Sequence, residues 1–553
     1  LGGHFSPERI SAIISPQMGE MNIGEHTQME KMAQTRRQLM HRAMAVAGAS
    51  IAAGLMSPVT IAAPSRRAGQ ANPFSLGVAS GDPVSDGFVI WTRTTLRGPI
   101  VEEPQDGLDV IWEVAADPGM RRIVQSGVVQ ARPHLGNAVH VELRGLPAGR
   151  PYWYRFRLPR GDASPVGSTW TAPLVGAPME RFSFAFASCQ HFEQGYFTPY
   201  DLMASDNPDL VIHLGDYIYE SSWGDQVRRH EGPEPVSLDD YRNRHAIYKT
   251  DAALQRAHAR SPWLVTWDDH EVDNDYQGLE SEDYQAPEAF VKRRAAAYQA
   301  YYEHMPLRRI AVPDANGMQL YQRSQFGDLV QVAMIDNRQY RSPAACRTPE
   351  RGGGQVVSVT DCPELFEDGR SMLGKGQERW LNSTLSRSSS RWNIIGNGEM
   401  FSRLKQKAPN GDEGHWTDDW NGYPSARKRL IGALARGRAS NVVFVTGDIH
   451  SFWVNDVRED FERSDSRIVA TELVASSISS AGVSYEQFSA LLPQNPHVKY
   501  FESRHRGYAM CRIDSRGMAV DLRTVDTVRA PVSGGKTLAS FMIEAGKPGA
   551  QKA

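Results

Sequence analysis

Five short segments of this chain carry side chains able to do chemistry. They are Ser188-Cys189-Gln190, Gly215-Asp216-Tyr217-Ile218-Tyr219-Glu220, Asp268-Asp269-His270-Glu271-Val272-Asp273-Asn274, Asp336-Asn337-Arg338 and Gly447-Asp448-Ile449-His450. Four of them can coordinate a metal and the fifth offers an arginine. A single Asp behind a strand is ordinarily a cap or turn residue, but five such segments in one domain point to a shared site. A thiolate, a phenolate, an imidazole and carboxylates together suit Fe(III). A neighbouring position built from carboxylate and amide oxygens suits Ca²⁺, Mg²⁺ or Mn²⁺, and Zn²⁺ is compatible with the same donors. Two ions sharing one bridging carboxylate would lie ~3.5–4 Å apart, a spacing that clamps a phosphoryl group and activates hydroxide.

Each segment follows an apolar run: Phe182 to Ala187, Leu210 to Leu214, Leu264 to Trp267, Leu329 to Ile335 and Val442 to Thr446. A shorter run, Trp392 to Gly396, precedes Asn397-Gly398-Glu399. Helix-like stretches such as Phe290 to His304 and Gln377 to Leu385 alternate with them. Continuous apolar strands imply sheets covered on both faces, so the expected fold class is α/β, an αββα sandwich. Ligands in open sheets of this kind sit beyond the carboxyl ends of strands, where the five segments fall. From about Phe74 to Pro173 the chain reads as all-β, with alternating runs such as Gly87 to Thr92 and Tyr152 to Arg157. Leu146 to Tyr154 resembles the loop and strand of a fibronectin-III-like sandwich. The expected domains are therefore 1–71 (a non-native start and a signal peptide), 72–175 (the β-sandwich), 176–525 (the catalytic domain) and 526–553 (a tail or, preferred, a lid helix).

The order strand–Cys189, Gly-Asp216-x-x-Tyr219, Trp-Asp-Asp-His270-Glu, Asp336-x-Arg338-Gln-Tyr-Arg341 and Gly-Asp448-x-His450 resembles the PhoD-type alkaline phosphatases of the metallophosphoesterase superfamily. Cys189 and Asp448 depart from the commoner Asp-x-His and Gly-His-x-His motifs of that superfamily, and those departures are the PhoD-like variant. The resemblance implies that Cys189, Asp216, Tyr219 and His450 hold Fe³⁺. Asp216 would bridge to a Ca²⁺ site completed by Asn274 and Asp448, with Asp269 in the same loop as a competitor for Asn274. His270 would face the substrate, hydrogen-bonding a phosphate oxygen or protonating the leaving alkoxide. Arg338, placed with His270 among the catalytic residues, is open to either a phosphate contact or a structural salt bridge. The implied activity is hydrolysis of phosphate esters by in-line attack of a metal-bound hydroxide, with phosphodiesterase or phospholipase D activity on the same site as the alternative. A non-catalytic surface binding protein is a more distant one. The loop from Tyr217 to Tyr248, with Trp223, and the segment His415 to Tyr423 are expected to line the entrance.

The rest of the sequence sets the context. Among 553 residues, 61 basic and 64 acidic side chains give a net charge of −3, so no global field favours nucleic acid or an anionic membrane; nucleic acid enters only as a possible substrate. Four cysteines exclude a disulfide-stapled miniprotein. Cys346 and Cys362 flank a Gly-rich insertion and are open to pairing in an exported protein, with Cys511 buried and unpaired. The chain opens on Leu1 rather than Met, and its extreme start reads as an over-long translation. Thr35-Arg36-Arg37-Gln38-Leu39-Met40, ahead of an uncharged run from Ala43 to Ala63, reads as a twin-arginine signal rather than a membrane anchor. The expectation is a partner in the Tat export machinery, a periplasmic or secreted location and no stable membrane anchor. Gly369 to Lys375 imitates a P-loop, but Gly376 stands where the Mg²⁺-binding Ser/Thr belongs.

Overall fold

The computed structural model describes residues 72–95 and 107–553; the twin-arginine segment and the run that follows it lie outside the described residues. Two large sheets face each other. At the centre of the first, strands Arg181–Ala187, Leu210–His213 and Trp263–Val265 run parallel, with Ala187 and Val265 both in register with His213. In the second, Val330–Met334, Trp392–Asn397, Val442–Thr446 and Ile468–Val474 are parallel neighbours in that order.

The alternation along each strand explains the layering. Phe184 and Phe186 point between the sheets, where they meet Val330, Val332, Trp392, Val443 and Val445. Their neighbours Ala185 and Ala187 point the other way, under the helices Pro199–Asp206, Ala252–Arg260 and Pro287–His304. Likewise Ile394 faces the inter-sheet core while Ile395 and Phe444 pack under helices Gly374–Ser386 and Pro424–Arg436. Side chains of period two thus fill both faces of both sheets, which is why the strands read as unbroken apolar runs. Full burial of each such side chain contributes about 1.5–3 kcal/mol. Among the described residues no helix is long and apolar enough to cross a membrane.

Three expectations need correction or completion. The segment 72–175 is not a self-contained sandwich. Strands Val78–Val84, Gly87–Arg93 and Ala138–Glu142 extend the first large sheet, joined to it through Gly81 opposite Trp263. A Cβ at Gly81 would run into the carbonyls of Pro306 and Trp263, so the join depends on a residue with no side chain. Leu108–Ala115, Ile123–Ala131, Pro151–Arg157 and Gly167–Trp170 form a separate four-stranded sheet packed on these strands through Val78, Phe88, Ile90, Val110 and Tyr154. The C-terminal segment is neither lid helix nor tail. Gly535–Glu544 and Lys547–Lys552 are the last two strands at one side of the first sheet, with Lys547–Lys552 at its edge, and Ala539, Phe541 and Ile543 alternate into the inter-sheet core. That spacing is two, the strand period, and it outweighs the weak helical reading. Finally, Cys346 and Cys362 form a disulfide, while Cys189 and Cys511 are free and buried.

Candidate metal centre

The parallel registers bring the strand ends to one place. Cys189 lies just past Arg181–Ala187, and its amide donates to the Gly215 carbonyl (3.2 Å) while that of Gln190 donates to the Asp216 carbonyl (3.0 Å). A bridge between Ser188 and Ser477 ties the two sheets together at this end. The backbone here is unusual. Cys189, Asp216, Asp275, Asp448 and His450 all have φ between 51° and 62°. A non-glycine residue in this left-handed region costs about 1–3 kcal/mol, and such strain gathers where geometry serves a site.

Three overlapping groups of donors result, each with ligand atoms within 4.8 Å of one another: Cys189–Asp216–His450, Asp216–Asp269–His270 and Asp269–Asp275–Asp418. Asp216 and Asp269 are the shared members. The Tyr219 hydroxyl donates to Asp216 Oδ2 (2.9 Å), lies 3.1 Å from His450 Nε2 and accepts from Ser480 Oγ (3.0 Å). His450 Nδ1 is 2.7 Å from the Ala481 carbonyl. A carbonyl only accepts, so Nδ1 carries the proton and the Nε2 lone pair faces Cys189 and Asp216, the tautomer a metal ligand needs. Asp216 Oδ1 is buried with no hydrogen-bond partner among the described residues. Burial first, then the carboxylates of Asp269 and Asp268, push the Asp216 carboxyl well up, and burial followed by Asp216 does the same to the Cys189 thiol. The donor set is therefore rich in acid groups and has a buried oxygen without a hydrogen-bond partner. It fits a cation.

Glu271 supports this arrangement from behind, its carboxylate accepting the amides of Asp216 (3.1 Å), Tyr217 (2.7 Å) and Asp268 (2.9 Å). His270 Nδ1 lies 2.8 Å from Glu220 Oε2. Burial opposes the charge on His270, but Glu220, Asp269 and Asp216 together hold its pKa well above the ordinary value. Burial likewise opposes ionisation of Asp269, yet Arg338 and His270 keep it strongly acidic. Asp269 is thus held as a carboxylate.

Not every expected residue joins the cluster. The Asn274 side chain hydrogen-bonds Glu282, and Asp269, its competitor in the same loop, is shared by two of the three acid and histidine groups. Asp269 Oδ2 also accepts the Asp275 amide at 2.7 Å. Asp448 sits beside Asp268 and Asp269, but it stands outside the three groups, and its carbonyl is 3.7 Å from Cys189 Sγ. Arg338 does not face an open site. It is fully buried and enclosed by Asp268, Glu399 and Asp418, with Nη2 at 2.9 and 2.8 Å from the last two. Arg341 pairs with Glu399 and Asp418 from the other side. His415–Tyr423 turns inward rather than lining an entrance, with His415, Trp420 and Tyr423 buried. Glu220, Asp275, Glu399 and Asp418 were not legible as site residues. Glu220, Glu399 and Asp418 did lie inside segments already singled out, so the acidic residue within each was the available signal.

Comparison with known proteins identifies the family of the chain. The family model described as PhoD-like phosphatase matches residues 184–522, and that of the PhoD-like phosphatase N-terminal domain matches residues 60–173. The alkaline phosphatase D of Bacillus subtilis (strain 168) is 42% identical over 493 residues, spanning 87% of this chain and 82% of the relative. The solved structure of PhoD superimposes with a TM-score of 0.82 at 40% identity, over 88% of this chain and 93% of that one.

Proposed function

This chain belongs to the PhoD-like phosphatase family and is a phosphoesterase of the alkaline phosphatase type, and from that premise we propose that it works through two cations held around Asp216. Cys189, Asp216, Tyr219 and His450 would hold Fe³⁺, whose expected donors they match in type. Asp216 and Asp269, with Asp448 alongside, would hold Ca²⁺. The observation that carries this reading is the position of Asp216, shared by two donor groups and with Oδ1 unpartnered. Bound cations would offset the charge of the phosphate oxygens and activate the attacking water.

The chain's own residues supply the rest. Glu220 engages His270 Nδ1, which leaves Nε2 for the ester. A protonated His270 can give its proton to the leaving alkoxide, or donate to a phosphate oxygen, as bond breaking builds charge there. Tyr219 and Glu271 keep Asp216 in place. We read the helix–sheet–sheet–helix core as metallophosphoesterase-like and the four-stranded sheet with its partner strands as a fibronectin-like element fused to it; the layering and the alternating strands support both. The twin-arginine segment supports export by the Tat route to the periplasm or beyond.

The test is hydrolysis of a chromogenic phosphate monoester and the matching diester by protein purified without added metal, then with Ca²⁺, then with chelator. Calcium-dependent monoester turnover is expected. Turnover unaffected by chelation and by Asp216→Ala would overturn the proposal.

A further inference from the structure

We infer that Trp223 is a specificity-determining residue, a flat wall that selects phosphate esters whose leaving alcohol carries a planar aromatic ring. The inference rests on the proposed role of His270 at the leaving oxygen.

The indole of Trp223 lies against the residues of the site. Its ring centroid is 5.1 Å from that of His270 at an interplanar angle of 31°, 5.1 Å from Tyr219 and 4.5 Å from His191. Tyr219, His191 and His270 are buried, but Trp223 is only half-buried. His270 Nδ1 is engaged by Glu220, so a leaving oxygen that hydrogen-bonds this ring must approach Nε2. The substituent on that oxygen then runs beside the indole next to His270. Aromatic rings attract one another in offset or tilted arrangements with centroids 4.5–7 Å apart. A small alkyl group offers the indole little to hold.

The wall is built before any substrate arrives. Gln194 donates from Nε2 to the Trp223 carbonyl (3.0 Å), and its Oε1 accepts the amide of Ala481 (2.7 Å). The Ala481 carbonyl is the one that orients His450. Downstream, the amides of Val227 and Arg228 donate to the Glu193 carbonyl (2.6 and 3.1 Å). Arg228 closes the tie, bonded to Asp251 (2.7 Å) with its guanidinium 3.8 Å over the Phe192 ring. Trp223 is therefore tied down on both sides, and a ligand need not spend binding energy ordering it.

The test compares benzyl phosphate with ethyl phosphate, and their methyl diesters, on metal-loaded protein. The two alcohols have similar acidity, so the ratio of kcat/KM reports on the ring rather than on leaving-group chemistry. We expect the benzyl ester to be preferred by roughly ten-fold or more, the scale on which an apolar contact discriminates. In Trp223→Ala that ratio collapses toward one, and in Trp223→Phe it is largely kept. Should the alanine variant fail to fold, Trp223→Leu, which keeps bulk without a flat ring, must show the same collapse. A ratio near one in the unmodified protein, or one unchanged in the alanine and leucine variants, would overturn the assignment while leaving the phosphoesterase reading intact. No turnover of any of the four esters would overturn both.

Discussion

His270 Nδ1 lies 2.8 Å from Glu220 Oε2, a contact between two buried side chains 50 residues apart in the chain. Glu220 sits next to Tyr219 on one strand-end loop and His270 next to Asp269 on another, so this one pair links the two donor-bearing loops. It also orients the imidazole and favours its protonated form.

Replacing His270 by Ala should lower kcat/KM by roughly 10²–10⁴-fold, the usual contribution of a positioned proton donor. The loss should be larger for alkyl phosphates than for 4-nitrophenyl phosphate, whose leaving group needs little protonation. Glu220→Gln should show the same dependence on the leaving group with a smaller loss. Steady-state rates on the two ester types check this, and an equal loss on both would argue against proton donation.

Metal analysis separates the candidate ligands. Asp216→Ala should lose both metals and all activity, since its carboxylate is shared. Cys189→Ser should retain less iron and lose any thiolate charge-transfer colour. Asp269→Ala should lose calcium, and Asn274→Ala should keep it, because the Asn274 amide is engaged with Glu282. Elemental analysis of the four purified variants reads these outcomes directly.

Arg338→Ala should destabilise the fold by about 3–5 kcal/mol, the cost of leaving a buried charge without its partner. Asp268, Glu399 and Asp418 would all face one another without the guanidinium between them. Urea denaturation should show the loss. A variant as stable as the parent but unable to bind phosphate would instead return Arg338 to the substrate.

Lys249 predicts a pH dependence. Its ammonium is buried, among the described residues donates only to the Tyr217 hydroxyl (3.0 Å), and lies 4.5 Å from the Trp91 ring. Burial lowers its pKa from 10.5 to about 7. Between those values the unfolded chain binds the proton more tightly than the folded one, so stability rises with pH, by about 1.4 kcal/mol per unit. Below about pH 7 both states are protonated and this contribution levels off. Lys249→Met should flatten the rise between pH 7 and 10, as measured by thermal or urea unfolding at fixed ionic strength.

The α/β character and the strand-end positions of Cys189, Asp216, Tyr219, His270 and His450 were legible because both signals are local. An apolar strand declares itself over five or six residues, and a donor immediately behind it inherits its address. The C-terminal strands were missed because the period-two alternation of Ala539, Phe541 and Ile543 was passed over for a weaker helical reading. The same local logic also drew a boundary at 175 that the first sheet does not respect, because the pairing of Gly81 with Trp263 joins residues far apart in the chain.

By itself, then, the sequence determined the donor types, the family resemblance and the layered strands that carry the site. Only the tertiary structure decided that Asp269 is shared by two donor groups, that Glu220 engages His270, and that Arg338 lies among carboxylates. The physical reason is that a loop side chain takes the direction that satisfies its charge. For Arg338 the charges that decide it belong to Asp268 and Asp418, 70 and 80 residues away. Spacing along the chain does not encode such distances; the packing of the two sheets does.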